Sequence, residues 1–205
     1  MVKEIRLYIE GGGDAQSKAA LRKGFRQFFT NGLKENARKL HLTLCKSTVD
    51  ACEDFAKALE DHPAAFNILL IDSDGPVVKN QPLQNFIKLQ KHSKYNLDFI
   101  DENQIHLMVQ LMEAWFVADL EALNTYYGQA FKASADLKRK NVEQIEKATL
   151  IRSLKTATRK TRKGEYHKIK HAADLLAKIS PPKVRQAADY CERLFKTLEA
   201  LTTEN

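Results

Sequence analysis

The chain has 205 residues, 43% hydrophobic and 29% charged, enough for a packed core. No stretch nears the roughly 20 apolar residues of a membrane helix, and mean hydropathy is −0.44. With 33 Lys and Arg against 26 Asp and Glu, the formal charge is +7.

The chain opens straight into a strand, Val2 to Ile9, with no apolar signal-peptide core, so a cytoplasmic location is expected. Asp14 is placed to cap a helix whose apolar stripe is Ala20/Leu21, Phe25 and Phe28/Phe29, with Asn31-Gly32 as its predicted end. Leu40 to Cys45 alternates as a second strand. Ser47-x-x-Asp50 then opens a helix carrying Val49, Cys52, Phe55 and Leu59, which His62-Pro63 closes. Phe66 to Ile71 is a third strand, continuously apolar from Ile68 and therefore expected to be covered on both faces.

A short helix is predicted from about Leu83 to Gln90, then a fourth strand over Ile105 to Val109 and a helix from about Met112 to Tyr127, ended by Gly128. Beyond Gly128 the strand signal stops. Val142 to Leu154 reads as helix and Lys155 to Tyr166 as a basic loop. Lys168 to Ile179 is helical again, and Ser180-Pro181-Pro182 starts a last helix. Cys45, Cys52 and Cys191 have neither paired nor metal-ligand spacing and read as buried thiols.

The alternation of strands and helices predicts an α/β fold, a mainly parallel four-stranded sheet covered by helices, over residues 1–128. Residues 129–205 form an all-helical basic extension packed on it. Charge is concentrated there: Phe131 to Lys170 holds 13 Lys or Arg against four acids, a local +9. Such a concentration suits a polyanionic partner, although a solvated basic face has the same composition.

Two apolar runs end in acid. Leu7-Tyr8-Ile9 is followed by Glu10-Gly11-Gly12-Gly13-Asp14, and Ile68 to Ile71 by Asp72-Ser73-Asp74-Gly75. Ligands of parallel α/β sheets gather beyond the carboxyl ends of strands. If the two strands are neighbours, Glu10, Asp72 and Asp74 converge, and converging carboxylates call for a hard cation, Mg²⁺ or Mn²⁺, with phosphate chemistry as its use. The glycine triplet is no P-loop, because no Gly-Lys-Ser/Thr follows.

Glu113, where the fourth strand meets its helix, is a candidate ligand for a second metal, with a plain acid at a helix N-terminus as the alternative. Asp119 ranks below it. Asp14 reads as an N-cap, Trp115 as core and His106 as a structural histidine. His167 and His171 are four apart on a helix, a zinc-compatible spacing, but the surrounding basic residues disfavour a dication. Tyr166, His167, Lys168, Lys170 and His171 suit phosphate oxygens better. With Lys155, Arg159, Lys160, Arg162 and Lys163 they make up the candidate substrate contacts.

A Glu ending the first strand, then Gly and an acid, with Asp-x-Asp ending a later strand, resembles the Toprim domain of topoisomerases, bacterial primases and overcoming-lysogenization-defect nucleases. The resemblance implies Mg²⁺ held by Asp72 and Asp74, with Glu10 as ligand or general acid/base. Ile9 to Asp14, His106 to Asp119, Tyr126-Tyr127-Gly128, Tyr166 to His171 and Ile179-Ser180-Pro181 further resemble domain-of-unknown-function family 4276. That likeness implies a Toprim-like fold, a neighbouring ATPase of the AAA or ABC type and a role in phage defence.

Gly75-Pro76 replaces the Arg-Glu-Gly of the topoisomerases, and no domain is available for a nucleophilic tyrosine or helicase contacts. Metal-dependent nucleic-acid hydrolysis is therefore the expected activity. A non-catalytic subunit binding nucleic acid or an ATPase, a nucleotide sensor, and a haloacid-dehalogenase-like phosphatase with Asp72 as nucleophile are the rival readings.

Overall fold

The computed structural model describes residues 4–78, Leu83 and 100–203. Strands β1 (Ile5–Glu10), β2 (Leu40–Cys45), β3 (Phe66–Asp72) and β4 (Ile105–Met108) form one sheet in the order β2-β1-β3-β4. Every pairing is parallel: Ile9 stands beside Leu44 on one side and Leu70 on the other, and Asp72 lies beside Met108. The β1, β3 and β4 runs are mainly apolar because both of their faces are covered, with Arg6, Asn67 and His106 as polar interruptions. Ile5, Leu7, Ile9, Ile68 and Leu70 point into the larger core, while Tyr8, Leu69, Ile71 and Leu107 point into a smaller one on the other face. This is the α/β layout expected of a Toprim-like domain.

Eight α-helices are found among the described residues. Helix α1 (Ala15–Leu33) is capped by Asp14, whose carboxylate accepts the Ser17 N–H, and it buries Phe25 and Phe28 against Trp115 and Phe29 against Phe195. Helix α2 (Thr48–Asp61), capped by the Ser47 hydroxyl on the Asp50 N–H, covers the smaller core with Cys52 and Phe55. After β4 come α3 (Glu113–Val117) and α4 (Leu120–Tyr127). The single helix expected over 112–127 is thus two, because Asp119 leaves the helix and caps α4 through the Ala122 N–H.

The remaining helices are α5 (Lys147–Thr158), α6 (Lys168–Lys178), α7 (Pro181–Ala187) and α8 (Asp189–Thr203). The last predicted helix is therefore also split in two. Residues 155–158 correct the predicted loop, since Ala157 and Thr158 are buried and carry α5 one turn further. Gly32 does not end α1. It lies inside the helix, where a Cβ would stand 2.3 Å from Phe195 Cε1, so the glycine serves the approach of α8. Helix α6 packs lengthwise on α1, with the Ala173 backbone against Gly24, and so brings the N-terminus of α6 to the carboxyl ends of the strands. The helix predicted over 83–90 falls outside the described residues except at Leu83. All three cysteines are buried free thiols.

Candidate active site

Because β1 and β3 are adjacent and parallel, Glu10 and Asp72 leave the sheet side by side. Glu10 Oε2 accepts the backbone N–H of Asp72 at 3.1 Å and the Thr48 hydroxyl at 2.9 Å. One carboxylate oxygen thus ties together the ends of β1 and β3 and the start of α2, and Oε1 keeps no hydrogen bond among the described residues.

Asp72 is the deepest acid, with 5% of its surface exposed. Its Oδ1 accepts the Met112 N–H at 2.8 Å, and its Oδ2 faces Lys168 Nζ at 3.8 Å. Glu113, the first residue of α3, is also buried. Its Oε1 accepts the Tyr166 hydroxyl at 2.9 Å, while Oε2 has no hydrogen-bond partner among the described residues. Tyr166 is therefore a buried support for Glu113 rather than a phosphate contact.

Charge explains the protonation equilibria. Burial pushes the Asp72 carboxyl well above the usual range; Lys168 opposes this, and the nearby Glu113 and Glu10 carboxylates add to it. Burial pulls the Lys168 ammonium down, yet Asp72, Glu113, Glu10 and Asp74 together hold it above the ordinary lysine value. Burial and the Glu113 carboxylate raise the Tyr166 phenol, so it donates its proton rather than losing it. Lys168, on the first turn of α6, is thus the cation that faces Asp72 and feels the charges of Glu113 and Glu10 as well.

Asp74 departs from that inner group. Its φ of 56° is left-handed, a conformation Asp adopts more readily than most residues. The turn sends its carboxylate outward to an ion pair with Lys147 Nζ. Gln110 organises the contact: its carbonyl accepts the Asp74 N–H at 2.9 Å, and its side-chain Oε1 accepts the Lys147 N–H at 3.0 Å. Sequence reasoning missed Lys147 and Gln110 because nothing local couples positions 36 or more residues away from Asp74.

Every donor in the inner group is a carboxylate oxygen, the chemistry of Mg²⁺ or Mn²⁺. The buried, unpartnered Glu113 Oε2 is the atom such an ion would satisfy. Among the described residues no three His, Cys, Asp or Glu side chains stand close enough to hold a metal together. Mg²⁺ is commonly held by one or two carboxylates, with water and substrate phosphate completing its shell. Asp72 and Glu113 are the two buried carboxylates that would supply such a pair.

The other candidates divide sharply. Asp119 is structural: besides capping α4 it accepts the Ser180 N–H and pairs with Lys183. His106 is fully buried between the Asn103 carbonyl and Arg193, and burial and then that guanidinium push it down to about 3. His171 is withdrawn from any substrate surface, because its ring lies among Tyr126, Tyr127 and Tyr166 and its Nδ1 accepts the His167 N–H. Lys163 sits 4.2 Å from the centre of the Tyr126 ring, and Lys155 is 3.7 Å from Glu165. Arg159, Lys160, Arg162, His167 and Lys170 are exposed.

An all-parallel α/β sheet with a lysine set among acids at its carboxyl edge is the class these residues define. The chain belongs to the family described as "Domain of unknown function (DUF4276)", whose model matches residues 9–199. No curated protein and no solved structure matches it.

Proposed function

We propose that this protein is a metal-dependent phosphodiesterase of Toprim type that hydrolyses nucleic acid. The observation that carries the reading is the buried, unpartnered Glu113 Oε2, on a carboxylate whose charge acts on Asp72, while Glu10 accepts the Asp72 N–H at the ends of the neighbouring parallel strands β1 and β3. Asp72 and Glu113 would hold Mg²⁺ or Mn²⁺, with Asp74 as a further donor once it releases Lys147. When bound, such an ion supplies Lewis-acid charge at the phosphate and lowers the pKa of a water.

The chain's own residues do the rest. Glu10 Oε1, left unused by the two hydrogen bonds on Oε2, takes a proton from the attacking water. Lys168 Nζ, already held protonated by its neighbours, swings onto a non-bridging phosphate oxygen as charge builds there. Tyr166 holds the Glu113 carboxylate in place through its hydroxyl. The exposed basic residues from Lys155 to Lys170 neutralise the backbone of the strand. The family resemblance supports a chain working with an AAA- or ABC-type ATPase in phage defence.

The pairing of Lys168 and Lys147 with the acids favours one second reading, a subunit that binds nucleic acid without cutting it. One assay separates the two: labelled DNA and RNA incubated with Mg²⁺ or Mn²⁺ and either wild type or Asp72→Asn, with and without any ATPase encoded beside it. Products from wild type alone support the hydrolase. Equal products from both proteins, or binding by both with no products in any condition, overturn it.

A further inference from the structure

Beside the carboxylate centre, a cleft of about 730 Å³ opens between the turn at 74–76 and helix α5. That volume is within the range of about 300–1,000 Å³ that encloses small organic ligands. Pro76, Ala148 and Ile151 give its lining an aliphatic part, and charged side chains make up most of the rest. Three acids are among them, and each is engaged. Asp74 pairs with Lys147 and Glu165 with Lys155, while Glu146 caps α5 through the Ala148 and Thr149 N–H groups. Arg152 and Arg159 form no ion pair among the described residues and stand exposed.

We propose that this cleft seats a single nucleic-acid strand, with an unstacked base on Pro76, Ala148 and Ile151 and the flanking phosphates on Arg152, Lys155 and Arg159. The inference rests on the phosphodiesterase reading and gives it a strand type and a path. An aliphatic surface gains little from a duplex, whose base faces are stacked inward and which presents its backbone and groove edges. A single strand can turn a base onto it. Helix α5 offers charge at a suitable stride, since residues four apart advance about 6 Å along a helix. Lys155 and Arg159 are so spaced, and the row they share begins at Lys147, which contacts Asp74. A strand following the row therefore arrives at the acidic centre.

Fluorescence anisotropy in EDTA tests the binding apart from any cleavage. The probes are a fluorescein-labelled 12-nucleotide single strand, as DNA and as RNA, and the matching duplexes. Wild type is compared with Arg152→Glu/Arg159→Glu, with Ile151→Asn, and with Lys138→Glu/Lys140→Glu, which reverses equal charge at exposed positions outside the cleft.

The expected result is tenfold or greater preference for single strand over duplex. The cleft double variant should lose at least tenfold, and its dependence of log K on log salt should flatten by about 1.4, two single-strand contacts at about 0.7 each. Ile151→Asn should weaken single-strand binding severalfold with the salt slope unchanged, and the control should lose less than threefold. Equal duplex affinity, or equal losses in the cleft variant and the control, overturns the cleft even if cleavage stands. Cleft binding as expected with no cleavage in the Asp72 comparison overturns the phosphodiesterase reading alone.

Discussion

Lys168 Nζ stands 3.8 Å from Asp72 Oδ2, although the two are 96 positions apart in the chain. The carboxylate is nearly fully buried, whereas the lysine side chain keeps 36% of its surface exposed. This asymmetry makes the lysine an exchangeable cation: it neutralises Asp72 and its acidic neighbours but retains a way out to solvent.

Lys168→Met should therefore leave Asp72, Glu113 and Glu10 uncompensated. The cost is expected to be about 2 kcal/mol, below the roughly 3–5 kcal/mol of breaking a fully buried pair, because the lysine is partly solvated. Urea denaturation measures it. Millimolar Mg²⁺ or Mn²⁺ should restore most of the loss in this variant, which a purely structural salt bridge would not show.

Asp72→Asn should act in the opposite direction on stability while abolishing cleavage. Burial and the Glu113 and Glu10 carboxylates make the Asp72 charge costly, and an Asn oxygen can still accept the Met112 N–H. A gain of about 1 kcal/mol, or roughly 2–4 °C in Tm for a chain of this size, is expected by thermal unfolding at neutral pH.

Stability should also fall in mild acid through His106. Its folded pKa is depressed to about 3 by burial and by Arg193, against about 6.5 unfolded. The unfolded chain therefore takes up a proton that the folded chain refuses. The contribution is complete above pH 6.5 and is lost as pH falls from there toward 3, amounting to about 2 kcal/mol by pH 5. Denaturation curves of wild type and His106→Gln across pH 5–7 should differ in slope by that amount.

Gly32→Ala should destabilise although alanine favours helices. The added Cβ would meet Phe195 Cε1 at 2.3 Å and Cζ at 2.8 Å. A cost of about 1–3 kcal/mol, the usual penalty of overpacking, is expected in chemical denaturation. A stabilised variant would show that α8 can shift away.

The parts legible in the sequence were those set by neighbouring residues. Apolar runs marked three strands and alternation marked β2, and Asp14 and Ser47 marked their helices through side-chain caps that act three residues away. The Glu10 and Asp72 convergence followed from strand adjacency alone. Illegible parts depended on distant partners. Gly32 looked like a helix end because its reason, Phe195, is far along the chain. Residues 155–158 looked like loop because Lys155 and the basic run from Arg159 hid two buried positions, Ala157 and Thr158. The outward turn of Asp74 toward Lys147, and the burial of Tyr166 beneath Glu113, arise from packing between the sheet edge and helices more than 50 residues away.

Mn²⁺ titration followed by electron paramagnetic resonance, on wild type, Asp72→Asn and Glu113→Gln, tests the carboxylate centre most directly. Wild type should bind Mn²⁺ saturably, with the free-ion signal reduced in proportion to protein, and each variant should weaken that binding at least tenfold. Saturable binding that both substitutions leave unchanged, or a free-ion signal untouched by wild type at millimolar Mn²⁺, would contradict a divalent-ion centre at the ends of β1 and β3.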